Sequence, residues 1–148
     1  MIISSGALSK KKVMQAFPLM REIDPGLELG VWINYAGRLT KADGGLHGVF
    51  GAERDGYVRG VFCYEVSPDT SGAATLHIRN FVVLDMVQRE AMADILYRAI
   101  GDIARGNGCR LVRVHLPRKS FWAAQRLEAA GYIVQPCDFA CGKSSGLS

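Results

Sequence analysis

The sequence has few of the features that mark membrane or secreted proteins. Its longest apolar runs, such as those at positions 61–64 and 81–84, are much shorter than the about 20 residues needed to cross a bilayer. The lysine run at 10–12 follows the apolar start of the chain, which is the reverse of the order in a secretory signal. We therefore predict a cytoplasmic protein without a membrane-spanning segment.

Cysteine is scarce, with four in 148 residues, and its distribution argues against a metal centre. Two of the four lie in apolar, strand-like runs, where free cysteine behaves as a small buried hydrophobic residue. Cys137 and Cys141 have no second pair and no histidine nearby, as a zinc site would require. The sequence predicts reduced thiols and no metal site.

Several function classes also lack their signatures. The net charge of +4 could attract a polyphosphate or a nucleic acid. However, 10–12 is the only dense basic run and no helix-turn-helix, zinc-finger or aromatic RNA-binding pattern accompanies it. No Ser/His/Asp arrangement, P-loop or dinucleotide fingerprint is evident. We predict no nucleic-acid partner, and hydrolases and nucleotide enzymes fit poorly.

What is present is an ordinary globular composition, with 49% hydrophobic and 22% charged residues, far from that of a disordered chain. The length suits one compact domain. We expect residues 1–148 to form that domain, with 142–148 as a frayed tail.

The hydrophobic pattern predicts an α/β sandwich with a mixed sheet. Ser9 can cap a first helix that Pro18 kinks or breaks, and 27–42 is compatible with a helix or a strand, with helix favoured. Asp55-Gly56 predicts a tight hairpin. The remaining elements alternate: the hairpin strands are 46–54 and 57–66, followed by strand 75–84, helix 88–105, strand 111–116, helix 120–130 and strand 132–140.

The junction between strand 75–84 and helix 88–105 carries the most informative pattern. An apolar strand, a short loop, a helix and then Gly108-Cys109 ahead of the next strand follow in order. This stretch resembles the acyl-CoA motif of the GNAT acetyltransferases, Gln/Arg-x-x-Gly-x-Gly/Ala, which positions 88–93 occupy. Shorter similarities at 16–22 and 129–132 extend the resemblance over nearly the whole chain.

The resemblance implies a mixed, mostly antiparallel sheet flanked by helices, with a central splayed pair of parallel strands. It also implies acetyl-CoA, or another acyl-CoA, as co-substrate, and direct attack on its thioester by an amine of a small molecule or peptide. Backbone amides near Val82 would polarise the thioester carbonyl. By resemblance, the cofactor-binding residues are Phe81, Val82, Val83, Gln88, Arg89, Ala91 and Ala93.

The sequence departs from the family pattern at three places. Ala91 replaces the central glycine, so a methyl group limits how closely an anion approaches the backbone. Leu127 stands where relatives carry a tyrosine acid. Arg79-Asn80 stands where relatives carry adjacent acidic residues, which favours an acidic or neutral acceptor.

Other side chains could replace the missing catalytic groups. Asn80 and Tyr132 are our candidate catalytic residues, and His77 and His115 are further candidates. Each has a structural alternative, Tyr132 as a core aromatic residue and each histidine as an ordinary residue of a sheet face. A GNAT-fold module without turnover, serving as a ligand sensor or partner-binding subunit, is therefore the alternative function, and a homodimer stays open.

Overall fold

The computed structural model describes residues 2–41, 45–68 and 70–137. One six-stranded sheet forms its centre, and the strands lie side by side in chain order. The first three neighbouring pairs are antiparallel and the last two are parallel. The strands are β1 (Ile3–Ala7), β2 (His47–Arg54), β3 (Tyr57–Pro68), β4 (Ala74–Val83), β5 (Cys109–Pro117) and β6 (Ile133–Cys137).

Five α-helices and one 3₁₀ segment connect the strands within the described residues. None of these helices is both long and apolar enough to span a membrane. The helices are α1 (Lys10–Gln15), α2 (Phe17–Ile23), α3 (Leu29–Leu39), α4 (Arg89–Gly106) and α5 (Ala124–Ala129), and the 3₁₀ segment is Arg118–Ala123.

Local sequence signals account for the hairpin and for the first helices. Asp55 and Gly56 have φ values of 54° and 87°, as the predicted tight turn requires. The Ser9 side chain accepts a hydrogen bond from the amide of Lys12, and Pro18 lies in the first turn of α2, where its missing N–H costs no helical bond. These predictions are confirmed, and the ambiguous segment after Leu27 forms the helix α3.

Two elements differ from the predictions. The sequence analysis began the fold with a helix, but β1 precedes it and pairs antiparallel with β2, from Ile3 opposite Arg54 to Ala7 opposite Phe50. The helix predicted over 120–130 starts instead as the 3₁₀ segment and becomes α-helical only at Ala124. The predicted tail 142–148, the end of the last strand at 138–140 and Cys141 lie outside the described residues.

Two hydrophobic cores lie on the two faces of the sheet. Phe62, Phe81, Leu96 and Leu127 belong to the core beneath α4 and α5. The opposite core lies beneath α1, α2 and α3 and contains Trp32, whose indole N–H donates to the carbonyl of Val13 at 2.9 Å. Helices therefore cover both faces of the antiparallel part of the sheet.

The parallel strands β4 and β5 separate towards their carboxyl ends. Their ladder ends at Arg79 opposite His115, and β4 bulges immediately afterwards, at Asn80, whose φ is 57°. Asparagine is among the few residues that tolerate this left-handed conformation. The predicted mixed sheet with a central splayed parallel pair is thus confirmed.

Candidate functional site

The end of β4 beyond the bulge presents backbone groups to the gap that opens towards β5. The amide of Leu84 donates to the carbonyl of Arg59 on β3 at 2.7 Å. Because backbone groups alternate in direction along a strand, Val82 also faces β3, whereas Phe81 and Val83 face the gap. Since the ladder to β5 has already ended, the Val83 N–H has no strand partner there, and it replaces Val82 as the donor aimed at the gap.

The 3₁₀ segment covers part of this gap. The hydroxyl of Ser120, which is 2% exposed, donates a 2.6 Å hydrogen bond to the carbonyl of Phe81. The first carbonyl of β4 that faces the gap is therefore already engaged by the chain itself.

Helix α4 begins directly behind the gap. Gln88 is its N-cap residue, and the first helical hydrogen bond runs from the amide of Met92 to the carbonyl of Gln88 at 2.9 Å. The amides of Arg89, Glu90 and Ala91 precede that bond and have no partner within the helix. Such a first turn favours the binding of an anion.

An internal carboxylate already lies at this helix start. One oxygen of Asp85 accepts the amides of Val87 and Gln88 at 3.0 Å each, and the other accepts Nε of Arg54 at 2.7 Å. The Asp85 side chain has no solvent exposure. Burial alone would raise the pKa of this carboxyl, but the hydrogen bonds from Arg54, Gln88 and Val87 outweigh it and hold the pKa below its usual value.

A groove of about 320 Å³ lies between α4 on one side and the 3₁₀ segment and α5 on the other. This volume is at the lower end of the range for small-molecule sites. Two aromatic side chains and two arginines are among the residues that line it. The lining residues are Arg89, Glu90, Tyr97, Trp122, Gln125, Arg126 and Ala129.

Contacts between aromatic rings connect the lining of the groove with Phe81, near the end of β4. The Arg89 guanidinium lies 4.3 Å from the ring centre of Trp122, and that of Arg126 lies 5.0 Å from the ring centre of Tyr97. Phe81 stacks on Tyr97 at 5.8 Å and lies 6.3 Å from Trp122. The sequence analysis missed Tyr97 and Trp122 because only the tertiary fold brings them together.

No protein-family model matches the chain, and no curated protein matches it in sequence. Solved structures do match. An acetyltransferase from Trypanosoma brucei superposes with a TM-score of 0.69 at 20% identity, covering 92% of this chain and 96% of that one. An aminoglycoside N-acetyltransferase in complex with CoA gives 0.69 at 18% identity over 88% of both chains. Glucosamine-6-phosphate N-acetyltransferase from Arabidopsis thaliana gives 0.71 at 12% identity, over 93% of this chain and 95% of that one.

The chain has the GNAT fold. At these identities the similarity establishes the architecture of the chain.

The two candidate catalytic residues lie in different parts of this GNAT fold. Asn80 is 2% exposed beside the gap, where its side-chain amide donates to the sulfur of Met20 at 3.1 Å. The Tyr132 hydroxyl lies 3.5 Å from the position that a Cβ on Gly101 would occupy. Gly101 is twelve residues beyond Arg89, or about 18 Å along α4. The fold thus brings Asn80, and not Tyr132, to the end of β4.

The predicted cofactor-binding residues divide in a similar way. Phe81 and Val83 face the gap, while Gln88, Arg89 and Ala91 form the start of α4. Ala93 is fully buried in the core, so its side chain packs inside the protein and does not line the groove.

Proposed function

We propose that this chain is an acyl-CoA-dependent N-acyltransferase that transfers an acetyl group to the amine of a small molecule or peptide. The observation that carries the proposal is the continuity of three features: the first turn of α4, the groove beside it, and the Val83 N–H at the end of β4, which lies beyond the ladder to β5 in the described part of the chain. Residues 1–148 would act as one domain, in the cytoplasm.

The residues present fit coenzyme A at this site. The amides of Arg89, Glu90 and Ala91 and the side chains of Arg89 and Arg126 would hold phosphate groups. Trp122 and Tyr97 offer aromatic faces to an adenine or to the pantetheine. When bound, an acyl-CoA supplies a thioester that an amine can attack.

The chain's own contribution would be orientation and polarisation. The Val83 N–H would donate a hydrogen bond to the thioester carbonyl oxygen, which gains negative charge in the transition state. Asn80, at the adjoining bulge, would shape the floor on which the acceptor amine lies. Positioning of this kind supplies much of the acceleration when no strong acid or base is present.

The acceptor is proposed as a small amine because similar solved structures carry such acceptors in their names. An aminoglycoside and glucosamine 6-phosphate are the two named acceptors among the structures above. Both are amines on a polar scaffold.

A thiol-release assay with acetyl-CoA, run across amines, amino acids and peptides, tests the proposal. We expect turnover with at least one acceptor, and we expect Arg89→Gln to weaken coenzyme A binding about tenfold, the value of one charge-assisted hydrogen bond. Arg105→Gln is the matched control, because Arg105 pairs with Asp102 at the far end of α4. Binding of acetyl-CoA without turnover of any acceptor would contradict the proposed acyltransferase activity.

A second function, a GNAT-fold module without turnover, is favoured by two contacts. Asp85 engages the amides of Val87 and Gln88, and Ser120 engages the carbonyl of Phe81, so the chain itself uses groups that a coenzyme A could use. If neither acetyl-CoA nor coenzyme A binds at millimolar concentration while the protein is folded, this alternative replaces the enzyme.

A further inference from the structure

Four basic side chains cluster on the sheet face that α4 does not cover. The register of the parallel strands β4 and β5 places His77 opposite Arg113 and Arg79 opposite His115. Because alternate residues of a strand share a face, all four side chains lie on the same side. Each is half-buried, and the residues between them are buried beneath α4.

The two histidines form a hydrogen-bonded pair. Nδ1 of His77 lies 3.3 Å from Nε2 of His115, and the rings stack with centroids 5.5 Å apart. Nε2 of His77 lies 3.2 Å from the hydroxyl of Ser67. Burial and the charge of Arg79 lower the pKa of both rings, that of His115 to about 4. The pair is therefore neutral at pH 7, and the positive charge of this face comes from the arginines.

The two arginines lack a counterion in the described part of the chain. Neither Arg79 nor Arg113 forms an ion pair or a hydrogen bond there through its side chain. Glu65 is an exposed residue opposite His77 on β3, and its negative charge raises the pKa of that histidine in part. Gln135 lies opposite His115 on β6. A half-buried guanidinium has five N–H donors. Arg79 and Arg113 lie diagonally across the β4–β5 ladder, and two such groups in one cluster, without an acceptor among the described residues, favour the binding of an anion.

The cluster adjoins the proposed reaction site. Arg79 and His115 form the last rung of the ladder before β4 and β5 separate. Asn80 follows on β4, and Val83 lies four residues beyond Arg79, or about 13 Å along the strand. A small acceptor could therefore reach from the arginines to the gap.

We propose that this face binds the anionic group of the acceptor, a carboxylate or a phosphate, through Arg79 and Arg113, beside the neutral His77–His115 pair, in which Nδ1 of His115 is the ring nitrogen outside the hydrogen bonds described above. The inference rests on the proposed function only in identifying the ligand as the acceptor. The anion site can be tested without acyl-CoA.

Proton NMR of the imidazoles provides the test, with succinate and inorganic phosphate as probes and chloride at matched ionic strength as the control. We expect saturable shifts of the His77 and His115 signals and a higher pKa for both, because a bound anion favours the protonated ring. His77→Gln and His115→Gln assign the signals. His47, the third histidine of the chain, is bonded to the Leu39 carbonyl and serves as the reference.

Substitutions then separate a site from a general effect of charge. Arg79→Gln and Arg113→Gln should each weaken binding about tenfold or more, whereas Arg110→Gln on the same strand should leave it unchanged. Tighter binding of succinate identifies a carboxylate acceptor, and tighter binding of phosphate a phosphorylated one.

Absence of a saturable shift with either probe would overturn the anion site, and so would equal weakening by Arg110→Gln. Anion binding by a protein that does not bind acetyl-CoA would retain the site and defeat the acyltransferase. Turnover of neutral amines alone, without shifts of the histidine signals on addition of either anion, would support the acyltransferase and overturn the anion site.

Discussion

At the scale of single residues, Asp85 controls how much of the α4 start is available to an external anion. Its carboxylate accepts the amides of Val87 and Gln88 and pairs with Arg54. We expect Asp85→Ala to lower the free energy of unfolding by about 1–3 kcal/mol, since Arg54 and two amides lose their acceptor. Coenzyme A should bind more tightly because a negative charge leaves its phosphate site. Calorimetry and thermal unfolding measure both effects.

Asp102→Ala is the control for that experiment. It also removes one negative charge, but Asp102 is exposed and pairs with Arg105 near the other end of α4. An equal gain in coenzyme A affinity from both variants would show that overall charge, and not the cap, is responsible.

The pKa of Asp85 is lowered in the folded state. The ionised Asp85 therefore contributes its full stabilisation at pH values above the usual aspartate pKa near 4, and this contribution is lost as the pH falls through the folded-state pKa. In Asp85→Ala, the free energy of unfolding should not show this loss at low pH.

Ala91 occupies the first turn of α4, where the family pattern has glycine. If the first-turn amides meet phosphate, Ala91→Gly should tighten coenzyme A modestly, because a methyl group leaves the approach path while the donors stay. Glycine in a helix costs up to about 1 kcal/mol. Affinity and melting temperature should therefore move in opposite directions. A lower melting temperature with unchanged affinity would show that the methyl group does not obstruct the ligand.

At the scale of elements, local patterns predicted most of the fold, and long-range contacts account for the failures. The Asp55-Gly56 turn and the amphipathic pattern of α4 depend on neighbours in sequence. In contrast, β1 is a short and largely exposed strand, Ile-Ser-Ser-Gly-Ala, whose residues do not alternate between polar and apolar. Its position depends on pairing with β2, from Ile3 opposite Arg54 to Ala7 opposite Phe50, which the local sequence does not show. Asp85 could have been recognised, since an aspartate that accepts amides two and three residues ahead is a common device at helix starts.

The contact between the 3₁₀ segment and β4 leads to a prediction about both elements. Ser120→Ala removes the donor to the buried carbonyl of Phe81, which should lower the free energy of unfolding by about 1–3 kcal/mol. The freed carbonyl faces the gap and can accept an amide N–H of a bound pantetheine. The loss in free energy of unfolding should therefore be smaller when coenzyme A is present than when it is absent. An equal loss under both conditions would place the ligand away from this carbonyl.

At the scale of the whole molecule, the two tryptophans report on different regions. Trp32 is fully buried in the core beneath α1, α2 and α3, whereas Trp122 is partly exposed in the groove under the guanidinium of Arg89. A ligand in the groove should change the fluorescence of Trp122 and leave that of Trp32 unchanged. Trp32→Phe isolates the first signal, although it also perturbs the core. Trp122→Phe isolates the second, and it keeps an aromatic face in the groove.

Binding at the groove should stabilise the entire fold, because the groove joins α4, the 3₁₀ segment and α5 around the end of β4. A ligand at 100 times its dissociation constant adds about 2.7 kcal/mol to the free energy of unfolding. For a chain of this length, each kcal/mol corresponds to roughly 2–4 °C in melting temperature, so coenzyme A should raise it by about 5–10 °C. Arg89→Gln should reduce the shift at equal ligand concentration, whereas Arg105→Gln should preserve it. A shift in melting temperature without any response from Trp122 would mean that coenzyme A binds elsewhere on the molecule.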